Sequence, residues 1–294
     1  MLERTQVMMG TFVTITLPEG QERALQRSFE ILRSVEKALS SYDVQADIYR
    51  LNHERSVTLT PYSYEALRRS LVYYQQSDGY FDIAIGAITK GLYHFGEEEA
   101  VATQEALAAA DTEISGLHFT PEKAWLDAGV MIDLGGMGKG FGVDKAAAYL
   151  KAQKIREGVV ALSGDIRCLG PCEMAIQDPF GEGVIATFRT KSPDTAVSTS
   201  GNYRRFIESK KNNHLIDPKS KASQQTFASI TLFSHGDNSD LDAYATAASV
   251  MPFEKARTFL ARMDVGHILI TNEKQRFVSS DIDAYVKELH WRQR

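Results

Sequence analysis

The chain has 294 residues, 43% hydrophobic and 24% charged, an ordinary globular composition with apolar material for one large core or two smaller ones. That balance argues against disorder. A formal net charge of -5, with no run of like charges, argues against an extended nucleic-acid footprint, which needs a clustered basic face.

The opening stretch "MLERTQVMMGTFVTITLPEG" has no unbroken apolar run, and from Val7 it alternates like a strand that belongs to the fold. With no signal peptide, lipid-attachment cysteine or membrane span, the residues given read as cytoplasmic; removal of an N-terminal signal would make the protein periplasmic or membrane-anchored. "QERALQRSFEILRSVEKALSSY" places Leu25, Phe29, Leu32, Val35 and Leu39 on one helical face, suited to packing on a sheet. "TPYSYEALRRSLVYYQQSDG" predicts a second amphipathic helix, with Thr60 as cap, Pro61 at the first position and Gly79 as the stop. A short strand in "KAWLDAGVMIDL", a glycine loop, a helix through "VDKAAAYLKAQKI" and a strand "GVVALSG" follow. Further strands are predicted at "EMAIQ", "VIATFRT", "TAVSTSG", "RRFIES" and "TFASITLFS". Two helices, "NSDLDAYATAASVM" and "FEKARTFLARM", then lead to a last strand, "HILIT". Segregated runs of helices and strands argue for an α+β fold with one or two mixed sheets, and no repeat or clear linker divides the chain.

Cys168 and Cys172, in "CLGPC", are too few for a closed zinc site and spaced unlike a CxxC redox pair. They read as structural thiols rather than a disulfide. The stretch "DLGGMGKGFGVDKAAAYLK", Asp133 to Lys151, puts five glycines in eight positions before a helix. It fails the GxxxxGK[ST] and GxGxxG patterns, which disfavours a Walker ATPase or a dinucleotide Rossmann site. A glycine turn entering a helix still offers amides and a positive dipole end to an anion, with Lys139 as a point charge. Close packing of a helix against a neighbour explains the glycines equally well.

No GxSxG elbow or HxxxH pair occurs among the serines and the seven histidines. His214, in "NHLIDP", sits where a short strand enters a turn; it reads either as a functional group or as a hydrogen-bonded structural one. Asp242 and Thr246, in "SDLDAYATAASV", have the i, i+4 spacing that puts a carboxylate and a hydroxyl on one helical face. Both oxygens could then reach one hard cation such as Mg²⁺. Alternatively, Asp242 serves its helix N-terminus and Thr246 bonds back to a carbonyl.

In order, "MGTFVTITL", "SSYDVQADIYRLN", "GYFDIAIGAI", "DLGGMGKGFGVDKAA", "SGDIRCLG", "AVSTSGNYRRF", "HLIDPKS" and "DAYATAASVM" resemble the FAD:protein FMN transferase family, the ApbE-type flavin transferases. The resemblance runs from Met9 to Met251. It implies a mixed, largely antiparallel α+β fold, one domain of two interleaved lobes over residues 1–294, with the ligand in the cleft between lobes. Met9, Tyr42, Tyr80, Phe81, Asp82, Asp133, Lys139 and Ile216 match family positions that contact FAD. The family's metal site maps to the Gly136 carbonyl and the side chains of Asp242 and Thr246. On this division of labour, Gly136 turns a carbonyl toward the metal, while Gly138 and Gly140 let the helix start approach the ligand.

Asp47, Tyr49, Ser163, Asn202, Ala245 and "KSKAS" after "DP" depart from the family pattern, and bear on acceptor recognition and metal affinity more than on FAD binding. The implied reaction is Mg²⁺-dependent transfer of FMN from FAD to a Ser or Thr hydroxyl of an acceptor flavoprotein subunit, releasing AMP. His214 is the candidate base. The alternatives are a FAD pyrophosphatase, a non-catalytic FAD-binding protein and a partner-binding scaffold.

Overall fold

In the computed structural model, which describes residues 1–203 and 205–292, strands β1 (Leu2–Met8) and β2 (Thr11–Leu17) form an antiparallel hairpin. Its two-residue turn is Met9-Gly10, with φ of 51° and 68°. Two successive positive φ values match the twist of a hairpin, which explains the glycine. Helix α1 (Glu22–Leu39) buries Leu25, Phe29, Leu32, Val35 and Leu39, the face predicted from periodicity. Next come α2 (Asp47–Glu54), β3 (Ser56–Thr58) and α3 (Pro61–Gln76), where the Thr60 side chain accepts the Ser63 amide. Short helices α4 (Gly86–Thr89) and α5 (Gln104–Ala109) lead to β4 (Leu117–Phe119) and β5 (Lys123–Leu126).

The second half begins with α6 (Gly138–Ala152), β6 (Val159–Leu162), β7 (Asp165–Cys168), β8 (Glu173–Gln177), β9 (Val184–Thr190) and β10 (Thr195–Gly201). It continues through β11 (Ile216–Asp217), β12 (Ala222–Ser223), β13 (Phe227–Ser234), α7 (Asn238–Val250) and α8 (Phe253–Arg262). Strands β14 (Gly266–Thr271), β15 (Arg276–Val278) and β16 (Val286–Trp291) complete the described chain.

The main sheet has the order β1-β2-β6-β7-β10-β13-β14-β15, and each named pair is antiparallel. Smaller sheets, β16-β9-β8 and β3-β5-β4, stand apart from it. Side-chain alternation makes the main sheet the middle layer. On β14, Leu269 joins the core shared with α1, α3 and α7, while Ile268 and Ile270 join the core shared with β8, β9 and β16. A further core packs α1 and α6 on β2 and β6 through Phe29, Leu32, Leu150, Ile15 and Val160. Each fully buried Leu or Phe in these layers contributes about 2 kcal/mol of transfer free energy. The predicted α+β, largely antiparallel architecture is the observed one.

Three local expectations are corrected. "RRFIES" is not a strand over its described residues: Phe206 makes only an isolated bridge to Asn213, and the Ile207 amide donates to the carbonyl of nearby Asn212, while Glu208 takes φ 60°. Arg204 of that stretch lies outside the described residues. The helix expected from Val143 starts at Gly138, because the Leu134 and Met137 carbonyls take the Gly138 and Phe141 amides. Cys168 and Cys172 are joined in a disulfide: the turn from β7 to β8 brings their Cα atoms to 6.0 Å, within ordinary bridging range.

Candidate functional site

One cleft of about 1330 Å³ gathers every site residue predicted from the sequence. Met9 reaches it from the β1–β2 turn, and Tyr42 from the segment after α1. Tyr80, Phe81 and Asp82 come from the turn after α3, and Asp133, Gly136 and Lys139 from the loop entering α6. His214 and Ile216 lie at the start of β11, and Asp242 and Thr246 on α7. Small-sheet residues Ile176 and Phe188, which share a packed core with Val197 of the main sheet, also line it, as does Thr199.

The oxygen-rich corner is built by α7 crossing the α6 loop. The Thr246 hydroxyl donates to the Gly136 carbonyl at 3.2 Å, so these two oxygens are neighbours. A Cβ on Gly136 would lie 2.9 Å from Thr246 Cγ2, which reserves the position for glycine. Asp242 is buried; Lys139 Nζ donates to both its oxygens at 3.2 Å, and the Gly140 amide donates to Oδ2 at 3.1 Å. Lys139 Nζ also stands 3.1 Å from Asp165 Oδ2, and Ser198 Oγ donates to Asp165 Oδ1 at 2.6 Å. Burial alone would lower the Lys139 pKa, and Asp165 and Asp242 together raise it instead. Burial, and then the Asp242 charge, push Asp165 well above the usual carboxylate range.

The expected jobs of the glycines need correction. A Cβ on Gly140 would meet the Asn238 carbonyl oxygen at 2.3 Å, so that glycine serves the crossing of α6 with α7. Beside Gly138 the nearest atom is Leu39 Cδ1 at 3.9 Å, and no close approach demands glycine there. The loop is also a poorer amide cradle than it looked: the Gly135, Gly138 and Gly140 amides donate to Asp133, Leu134 and Asp242 respectively.

A second corner centres on Tyr42. Its hydroxyl donates to the Phe95 carbonyl at 2.8 Å and receives Lys90 and, at 2.9 Å, Arg205. Lys90 Nζ also lies 3.8 Å from the Tyr42 ring centroid, closing one face of that ring. Asp133 accepts from Thr89 at 2.7 Å and lies 4.0 Å from Lys90. Burial would raise the Asp133 pKa; Lys90, Thr89 and the Gly135 amide outweigh it and leave it lowered. His214 keeps part of its ring open to the cleft, and its Nδ1 lies 3.1 Å from the Arg205 carbonyl. Desolvation, with smaller help from Arg205 and Lys139, pushes the imidazole down to about 4. Asp82, buried and accepting the Ala84 amide at 2.8 Å, is pushed up to about 7, mainly by burial.

Residues 9–269 match the profile of the ApbE family. The chain belongs to the ApbE family. Among curated relatives, the FAD:protein FMN transferase of Klebsiella pneumoniae is 24% identical, over 93% of this chain and 90% of that protein. The FAD:protein FMN transferase of Treponema pallidum is 28% identical, over 97% and 89%. The crystal structure of the ApbE protein of Thermotoga maritima superposes with a TM-score of 0.88 at 22% identity, covering 98% of this chain and 99% of that one.

Within this ApbE-family cleft, the donor set fits a hard divalent cation. Gly136 and Thr246 supply neutral oxygens beside the Asp242 carboxylate, whose ammonium partner, Lys139, is shared with Asp165. Among the described residues no group of three or more His, Cys, Asp or Glu gathers, so the carbonyl and hydroxyl are needed to complete such a site. Sequence reasoning missed Asp165, Thr89, Lys90 and Arg205. Asp165 lay inside the quoted "SGDIRCLG", but nothing in that motif shows that it meets Lys139. Lys90 follows a short apolar run with no spacing signal, and its role depends on Tyr42, distant in sequence.

Proposed function

We propose that this ApbE-family chain is a Mg²⁺-dependent FAD:protein FMN transferase that moves FMN from FAD to a Ser or Thr hydroxyl of an acceptor protein and releases AMP. The observation that carries the reading is the convergence on one cleft of residues from Met9 to Thr246 that the family pattern assigns to FAD and metal. The curated relatives named for this reaction support it. The acceptor oxygen bonds to the FMN phosphorus, and the bond from that phosphorus to the bridging oxygen breaks. AMP leaves with the bridging oxygen, and the hydroxyl proton passes to a base.

His214 suits that base. A carbonyl only accepts, so the contact with Arg205 makes Nδ1 the donor and leaves Nε2 unprotonated. Its lowered pKa keeps the ring neutral at pH 7 while weakening its hold on an accepted proton. Gly136, Asp242 and Thr246 would hold Mg²⁺, which when bound would supply the charge neutralisation that phosphoryl transfer needs. Lys139 places a further positive charge beside Asp242. Tyr42, which lines the cleft, is the residue suited to stack on a flavin or adenine ring. Met9, Tyr80, Phe81, Asp82, Asp133 and Ile216 complete the FAD wall.

Intact-mass spectrometry of an acceptor with a Ser/Thr-Gly-Ala-Thr-like segment, mixed with this protein, FAD and Mg²⁺, should show an FMN-sized increment. Asp242→Ala should abolish it. Free FMN and AMP with an unlabelled acceptor would replace transfer by hydrolysis, and normal labelling by Asp242→Ala would remove the metal assignment.

A further inference from the structure

We propose that Asp165 is a positioning residue for Lys139: a buried anionic seat that keeps the ammonium at the floor of the cleft when Asp242 serves a cation. This rests on the metal site proposed above. Asp165 opens β7 at 1% exposure, directly opposite Ser198 in the β7–β10 register. Its two oxygens have separate tasks: Oδ1 takes the Ser198 hydroxyl at 2.6 Å and Oδ2 faces Lys139 Nζ at 3.1 Å. Lys139 is thereby shared between a carboxylate on β7 and one on α7, its Nζ 3.2 Å from both oxygens of Asp242.

A divalent cation and an ammonium repel each other on the same carboxylate, so loading Asp242 requires Lys139 to yield there. The long lysine stem can do so, but a partly buried ammonium needs another anion in reach. Asp165 is that anion, and the Ser198 hydroxyl fixes its orientation. Without it, Lys139 has only Asp242, and pairing and cation binding compete directly.

Isothermal titration of Mn²⁺ into the intact, FAD-free protein tests this through a double-mutant cycle. Asp165→Asn should weaken Mn²⁺ binding by roughly tenfold, and Lys139→Met should strengthen it. Placed in the Lys139→Met background, Asp165→Asn should change affinity by less than about twofold, because its effect runs through the lysine. Ser198→Ala, which leaves the carboxylate in place, should fall between wild type and Asp165→Asn. Equal losses in both backgrounds, or no loss in the single variant, would overturn the seat. Asp242→Ala separates the two levels of inference: it should bind no Mn²⁺ at this site, and unchanged binding there would overturn the metal site itself.

Discussion

Asp82 shows how a single buried carboxyl ties the cleft to pH. Its folded-state pKa of about 7 stands above the ordinary value of 3.8, chiefly because burial penalises the charged form. The folded protein therefore holds a proton that the unfolded chain gives up. Asp82 contributes stability below about pH 4, and that contribution is lost as pH rises through about 7. Asp82→Asn imitates the protonated form and keeps an acceptor for the Ala84 amide. Its melting temperature should exceed wild type by roughly 4–8 °C at pH 8, with the gap closing toward pH 4. Thermal scans across that range check this; a gap independent of pH would show that desolvation of the carboxylate is not the cause. His214 has the opposite linkage. Its pKa is depressed, so the folded state binds fewer protons than the unfolded chain between pH 6.5 and about 4, and stability falls as pH drops through that window.

Helices α6 and α7 are the elements that bring the oxygen-rich corner together, and Gly140 of α6 sets their separation. Gly140→Ala would drive a Cβ into the Asn238 backbone and push α7, with Asp242 and Thr246, away from Gly136. A loss of about 2–3 kcal/mol is expected from that overpacking. Gly138→Ala, with Leu39 as its nearest neighbour at 3.9 Å, should instead gain up to about 1 kcal/mol by helix propensity. Urea unfolding of the two variants gives the contrast directly; equal effects would refute the packing account of Gly140. The same helix shows what sequence pattern can and cannot carry. The apolar stripes of α1 and α3 repeat within a few turns and mark their faces without further information. Gly138 to Gly142 instead read as loop because intrinsic propensity opposes helix, and it is packing, of Gly140 on α7 and of Gly142 on Leu32 and Leu162, that overrides it. "RRFIES" looked like a strand for the converse reason: its alternation is local, while its backbone bonds turn back to Asn212. At the site, the i, i+4 spacing of Asp242 and Thr246 survived folding as a shared face. The Lys139–Asp165 pair is set by packing of α6 on β7, which leaves no periodic trace.

Across the whole molecule, the cleft is walled by segments drawn from most of the chain: the β1–β2 turn, the end of α1, the α6 loop, β8, β10, the start of β11 and α7. Its lining residues belong to several packed cores, including Leu39 and Phe81 in one and Ile176 and Phe188 in another. A ligand held by this wall binds the folded chain and has nothing comparable to bind once these segments separate. Mass action then predicts that FAD with Mg²⁺ at about 100 times its dissociation constant adds ~2.7 kcal/mol, a rise of roughly 4 °C in melting temperature for a chain of this size. Asp242→Ala should keep its ligand-free melting temperature near wild type, because Lys139 retains Asp165 as a partner. Its FAD-dependent shift should lose the part that Mg²⁺ adds. Thermal shift assays with FAD alone, Mg²⁺ alone and both together separate these contributions. A wild-type protein whose melting temperature ignores FAD in every combination would leave the ApbE family membership and the fold intact, but would turn the cleft into an inherited scaffold rather than a flavin site.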